Sequence, residues 1–177
     1  MDCNPELIAA AQNNTDKLGF SDRFALHTGE LAGTRFLENL RMEASPVQLV
    51  MANPPWRLVG SGRLPATEAR RKALFGDKGT FPLFTSAASS LLEEDGRFAC
   101  IISPDRLQDM LAALNGAGLT PYLLQYIHKQ KTSPATFVLI EARKGAHAKP
   151  SVAEPIALYG PERFFTLESL AFCPFLR

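Results

Sequence analysis

The apolar positions of this chain fall into alternating helix-like and strand-like runs. Asn4-Pro5-Glu6 reads as a helix start: asparagine caps free N–H groups, proline fits the first turn, and an acid complements the helix dipole. The expected apolar face is Leu7, Ile8 and Ala11, and the expected end is Lys17-Leu18-Gly19, where glycine takes the left-handed conformation. Residues 24–27 read as a short strand and residues 38–43 as a connecting helix. Residues 47–51 read as a stronger strand, apolar almost throughout as a buried parallel strand is. From Pro82 onward, Leu83, Phe84, Ala87, Ala88, Leu91 and Leu92 recur at helical spacing until Asp95-Gly96. Residues 97–102 follow as a strand. Ser103-Pro104 then restarts a helix through Leu107, Met110, Leu111 and Leu114, closed by Asn115-Gly116. Residues 122–128 and 136–142 read as two strands forming an antiparallel pair at the sheet edge, and Thr166 caps a last short helix into Phe172. This alternation predicts an α/β fold built on a parallel sheet.

Length and composition narrow the class. A chain of 177 residues, 46% hydrophobic and 21% charged, without an internal repeat or a dividing linker, is expected to form one globular domain over 1–177. Nineteen basic against 18 acidic residues give a net charge of +1, so contact with a polyanion needs a local patch. One is present: Arg57, Arg63, Arg70, Arg71, Lys72 and Lys78, with only Glu68 and Asp77 among them, give residues 57–80 a charge of +4. Residues 1–56 carry four basic and seven acidic groups, or −3. Cys3, Cys100 and Cys173 have neither disulfide-framework nor metal-ligand spacing, and His27, His128 and His147 show no ligand pattern, so no metal is expected. No apolar run approaches the roughly 20 residues of a membrane span, and the start shows no basic stretch followed by an apolar core. A cytoplasmic protein is expected.

The candidate chemistry lies in Asn53-Pro54-Pro55-Trp56, directly after the strand at 47–51, where open α/β sheets handle ligands. An amine conjugated to an aromatic ring or a carbonyl is a poor nucleophile, because its lone pair is delocalised. A site that methylates such an amine should accept hydrogen bonds from both N–H groups. The Asn53 side-chain oxygen and the Pro54 carbonyl supply two acceptors, and consecutive prolines hold that backbone extended. Trp56 offers a flat face for a planar group. No strong base is required, since the amine becomes acidic as the methyl group transfers.

These residues resemble the N-P-P-[YFW] motif of class I S-adenosylmethionine-dependent N6-adenine methyltransferases, and the chain looks most like the bacterial tRNA(Val) adenine N6-methyltransferase family. Asp2 followed by Asn4-Pro5-Glu6 resembles the acidic end of that fold's second strand, and Gly29-Glu30 resembles its acidic position near the cofactor's adenine. Glu94-Asp95-Gly96-Arg97-Phe98 resembles the turn into the fifth strand, and Leu158-Tyr159-Gly160-Pro161 the C-terminal strand and turn. The resemblance implies a Rossmann-like sheet with helices on both faces, and methyl transfer from S-adenosylmethionine to the exocyclic amine of adenine, in tRNA. It implies Asn53, Pro54, Pro55 and Trp56 as catalytic residues and Asp2, Cys3, Glu30 and Asn53 as cofactor-binding residues. Arg57, Arg63, Arg70, Arg71 and Lys72 are the implied contacts to RNA phosphates.

Two departures qualify the family pattern. Tryptophan stands at position 56 where tyrosine or phenylalanine is more usual. No strand with a G-x-G-x-G loop precedes Asp2, and Gly60-Ser61-Gly62 follows no strand and reads as a flexible loop. The expectation is a partial methyltransferase domain lacking the first strand, glycine-rich loop and first helix, with a partner chain or self-association covering the gap. Two alternatives stand beside it: a non-catalytic methyltransferase-like module that binds RNA or a partner, and a protein glutamine N-methyltransferase, whose substrate is also a planar conjugated amide.

Overall fold

A computed structural model of the chain describes residues 1–44, 46–58, 66–145, 149–162 and 164–173. They divide into two units, Met1–Ala44 and Ser45–Arg177.

The first unit holds α1 (Pro5–Leu18) and α2 (Thr34–Ala44). The expected signals act at both ends of α1. The Asn4 side chain accepts from the Glu6 N–H at 2.9 Å, and Gly19 sits at φ 69° with its N–H bonded to the Asp16 carbonyl. Ile8 and Ala11 are half-buried, but Leu7 is exposed and Thr15 is the buried residue of the helix. Residues 24–27 do not form the expected strand. Asp2 and Thr28 make an isolated parallel bridge, carried by Asp2 N–H to the His27 carbonyl (3.2 Å) and Gly29 N–H to the Asp2 carbonyl (3.1 Å). Two hydrogen bonds do not extend a ladder, and Phe24 stays exposed.

The second unit runs β1 (Val47–Ala52), β2 (Arg57–Leu58), α3 (Glu68–Leu74), β3 (Phe75–Gly76), α4 (Thr80–Leu91), β4 (Leu92–Ile102), α5 (Leu107–Gly116), β5 (Leu119–His128), β6 (Ala135–Lys144), β7 (Ser151–Val152), β8 (Ile156–Ala157) and α6 (Leu167–Phe172). Its main sheet has the order β1-β4-β6-β5-β7, with β8 also on β5, and β2 pairs with β3 in a separate parallel ladder. β1 and β4 are parallel, while β6 is antiparallel to both β4 and β5. The pair at 122–128 and 136–142 is therefore antiparallel as expected, but β6 lies in the sheet interior instead of at its edge.

One sheet face is covered by α4 and α5. Phe98 and Ile102 of β4, Val138 and Ile140 of β6, and Phe81, Met110 and Leu114 of the two helices form a continuous apolar core. Burial of this apolar surface is the main stabilising term of the unit. The Thr85 hydroxyl, fully buried, lies 3.0 Å from the Phe81 carbonyl and 3.1 Å from that of Ala113, tying α4 to α5.

Two boundaries differ from the sequence reading. Leu92 begins β4 instead of ending α4, and the pairing with β1 jumps from Val47↔Leu92 to Leu49↔Arg97. The intervening residues loop out, with Asp95 at φ 63° in the left-handed region that an aspartate tolerates. β1 is parallel as expected but not buried throughout: Val50 and Ala52 pack against the core, while Leu49 and Met51 are 43% and 75% exposed, because alternation turns them to the sheet face that α4 and α5 do not cover.

Candidate active site

The parallel register Ala52↔Cys100 places Asn53 at the C-terminal end of β1, beside the end of β4. From there the chain leaves the sheet through two prolines whose φ is fixed and which donate no hydrogen bond. Pro54 is fully buried, Pro55 and Trp56 are half-buried, and Asn53 is exposed. The buried proline anchors the turn while the asparagine amide points out of the packed core.

Three contacts hold the rest of the tetrapeptide. Gly76 packs so closely that a Cβ there would lie 2.5 Å from the Pro55 carbonyl oxygen. The Arg106 guanidinium Nη1 donates to the Trp56 carbonyl at 2.8 Å. The Trp56 ring meets the Phe137 ring edge-on, with centroids 6.2 Å apart and planes at 74°. On the solvent side the Arg57 guanidinium lies 5.3 Å from the Trp56 ring centroid.

The exposed face of the sheet carries a groove of about 560 Å³ that begins at Asn53 and runs over Met51, Ile101, Leu123 and Leu139 to Glu141. Its character is apolar, with one carboxylate: Glu141 Oε1 is buried without a hydrogen bond, 3.7 Å from Arg97 Nη1. Beneath the strand end, burial pushes the Cys100 thiol up to about 12, so it stays protonated and inert as a nucleophile. Among the described residues no cluster of His, Cys, Asp and Glu fits a metal ion. No helix among them is long and apolar enough to cross a membrane.

The residues singled out in the sequence separate by unit. In the first, the Asp2↔Thr28 bridge brings the half-buried Asp2 against the turn at Gly29, immediately before the exposed Glu30. Asp2 Oδ1 accepts from the Asn4 N–H at 2.8 Å, and Cys3 is exposed with a free thiol. In the second unit, Asn53, Pro54, Pro55 and Trp56 share one turn with Arg57. Arg70, Arg71 and Lys72 are exposed on α3, whose N-terminus is capped by Thr67, and Arg71 pairs with Glu68 at 3.0 Å. The β2·β3 ladder returns the chain to the tetrapeptide after α3, pairing Arg57 with Phe75 and Leu58 with Gly76. Arg63, Gly60-Ser61-Gly62 and His147 lie outside the described residues.

Arg106 and Gly76 escape the sequence reading. Arg106 had a legible signal: with Met110 and Leu114 it falls at i, i+4, i+8, placing a guanidinium on the core register of the helix. Gly76 had none, because only the fold brings it to Pro55.

This architecture is a methyltransferase fold. No family model matches the sequence, and no curated protein matches it. Solved structures do. A predicted O-methyltransferase from Agrobacterium tumefaciens aligns over 98% of this chain and 73% of its own, with a TM-score of 0.71 and 19% identity. The M protein of the type I restriction enzyme EcoKI aligns over 98% of this chain and 38% of its own, with a TM-score of 0.57 and 17% identity. A putative rRNA methylase from Clostridium thermocellum aligns over 80% and 72%, with a TM-score of 0.51 and 20% identity. At these identities the likeness is one of fold: a Rossmann-like mixed sheet with flanking helices, as class I methyltransferases have.

Proposed function

We propose that residues 1–177 act as one methyltransferase domain that transfers a methyl group from S-adenosylmethionine to the exocyclic N6 amine of adenine, in tRNA. The observation carrying this reading is the Asn53-Pro54-Pro55-Trp56 turn at the C-terminal end of a parallel strand in a methyltransferase fold.

In this reading the Asn53 side-chain oxygen and the Pro54 carbonyl each accept one N–H of the amine. That pairing draws the nitrogen lone pair out of conjugation and aims it, and holding it there lowers the entropic cost of reaction. The Trp56 ring stacks on the base, and Phe137 and Arg57 fix the ring's tilt. Neutral acceptors suffice, because the proton is lost only as the nitrogen gains its new bond. S-adenosylmethionine, when bound, supplies an electrophilic methyl group. The donor set of the first unit fits its adenosine part: Asp2 and Glu30 are carboxylates suited to accepting from hydroxyl and amine groups, and the exposed Cys3 adjoins Asp2. Arg57, Arg63, Arg70, Arg71 and Lys72 contact RNA phosphates, with α3 attached beside the turn by the β2·β3 ladder. The outer edge of β1, which pairs only with β4 among the described strands, is where a strand from a partner or a second copy adds.

The test is incubation with methyl-labelled S-adenosylmethionine and bulk tRNA, followed by nucleoside mass spectrometry. Label in N6-methyladenosine is expected. A parallel incubation with cell protein in which label appears in glutamine, with none in tRNA, moves the assignment to the amide substrate. Calorimetric titration without cofactor binding reduces the chain to a non-catalytic RNA- or partner-binding module.

A further inference from the structure

Arg106 is 3% exposed, yet its guanidinium is a charged group that the apolar core around Met110 and Leu114 has no intrinsic use for. Its environment accounts for the charge. Nε donates to Asp109 Oδ2 at 2.7 Å, and the guanidinium carbon lies 4.5 Å from the Phe81 ring centroid. Nη1 reaches 50 residues back along the chain to the Trp56 carbonyl at 2.8 Å. The aromatic face below and the carboxylate beside it fix the guanidinium plane, so the one bond it sends to the turn has a set direction. The Trp56 carbonyl belongs to the peptide that follows the Trp56 ring, and the Pro54 carbonyl lies only two peptides earlier. Fixing that plane restricts ψ of Trp56 and thus limits how the ring and the proline segment swing together.

We propose that Arg106 is a positioning residue: it sets the orientation of the Trp56 ring and the Pro54 carbonyl through a buried, aromatic-backed hydrogen bond to the Trp56 carbonyl. Only the catalytic part of this inference rests on the methyl-transfer reading; the positioning itself stands on the contacts of Arg106. A lysine at position 106 keeps the charge but has no planar fork to satisfy Asp109 and the Trp56 carbonyl at once.

Trp56 is the only tryptophan in the chain, so its emission reports the turn directly. The experiment compares wild type with Arg106→Lys, Arg106→Met and, as a stability control, Leu119→Ala, a core truncation at the opposite end of β5 from the Ile127↔Phe137 pair beside Trp56. Expected for both Arg106 variants is a red shift of Trp56 emission and stronger acrylamide quenching at a temperature where far-UV circular dichroism is unchanged; Leu119→Ala lowers Tm without either effect. Methyl transfer by Arg106→Lys is expected to fall roughly 10-fold or more in kcat, with cofactor affinity unchanged. Wild-type-like emission in a folded Arg106→Lys overturns the proposal, as does an equal red shift in Leu119→Ala. Should the variants not fold, the nitrogen-15 spectrum of wild-type guanidinium groups decides: one arginine with hindered Cζ–Nη rotation and contacts to Phe81 is expected, and its absence overturns the inference. If wild type methylates nothing while the emission changes appear, the methyl-transfer reading fails and the role of Arg106 in positioning Trp56 stands.

Discussion

Gly76→Ala should damage the site although it changes a residue that bears no chemistry. An ideal Cβ at Gly76 lies 2.5 Å from the Pro55 carbonyl oxygen and 2.7 Å from Thr80 Oγ1. Contacts below 3.0 Å do not occur for real Cβ atoms, so something must move by about 0.5 Å. Thr80 Oγ1 is held by the Asp77 N–H at 2.9 Å, and Pro55 follows the fully buried Pro54, so neither neighbour yields without disturbing its surroundings. Over-packing of this kind costs about 1–3 kcal/mol. For a chain of this size, about 2 kcal/mol lowers Tm by about 4–8 °C. On the proposed reading, half an ångström at the motif backbone, scaled from about 100-fold per 1 Å, is expected to reduce methyl transfer by roughly 10-fold. The matched control is Gly116→Ala at the end of α5, where the added Cβ meets nothing within 4 Å. There the alanine gains about 0.5–1 kcal/mol from lower backbone entropy in the unfolded chain. The assay is a thermal melt by far-UV circular dichroism together with methyl incorporation. A Gly76→Ala protein with wild-type Tm and wild-type transfer refutes the close-packing argument.

Two further outcomes follow from charge. Burial raises the Cys100 thiol from 9.0 to about 12, so above pH 9 the unfolded chain loses this proton while the folded chain keeps it. Stability therefore falls as pH rises through this window, by about 2 kcal/mol near pH 10.5 at about 1.4 kcal/mol per unit, and urea melts of Cys100→Ala against pH should show a shallower alkaline decline than wild type. Replacing Arg70, Arg71 and Lys72 together by alanine should weaken RNA binding and flatten the slope of log affinity against log salt by about 2–3; an unchanged slope removes α3 from the nucleic-acid contact.

Much of the fold was legible because local signals and tertiary demands agreed. Asn4, Gly19 and Thr166 cap where their chemistry indicates, and the apolar spacing of Phe84, Ala88 and Leu91 does lie in a packed helix. The misreadings share a physical cause: a strand is defined by its neighbour, which a run of residues does not contain. Residues 24–27 have strand composition but only a two-bond bridge to Asp2. Leu49 and Met51 continue an apolar run and nevertheless face outward, because alternation puts them on the groove side of an end strand. The interior place of β6 depends on its pairing with β4, 40 residues away, which no local pattern encodes. Within the candidate site the tetrapeptide stood out in the sequence because proline and asparagine carry backbone meaning by themselves. Gly76 and Phe137, which hold the turn through space, were not.

On the proposed reading Asn53 presents an acceptor to an adenine amine. That role is tested most directly by comparing wild type with Asn53→Ala for N6-methyladenosine formation on tRNA, with S-adenosylmethionine affinity measured in parallel. Asn53 is exposed, so folding is expected to survive the change. The expected result is a loss of transfer of roughly 100-fold or more, the cost of one transition-state hydrogen-bonding group, with cofactor affinity close to wild type. Full N6-methyladenosine formation by Asn53→Ala contradicts the account.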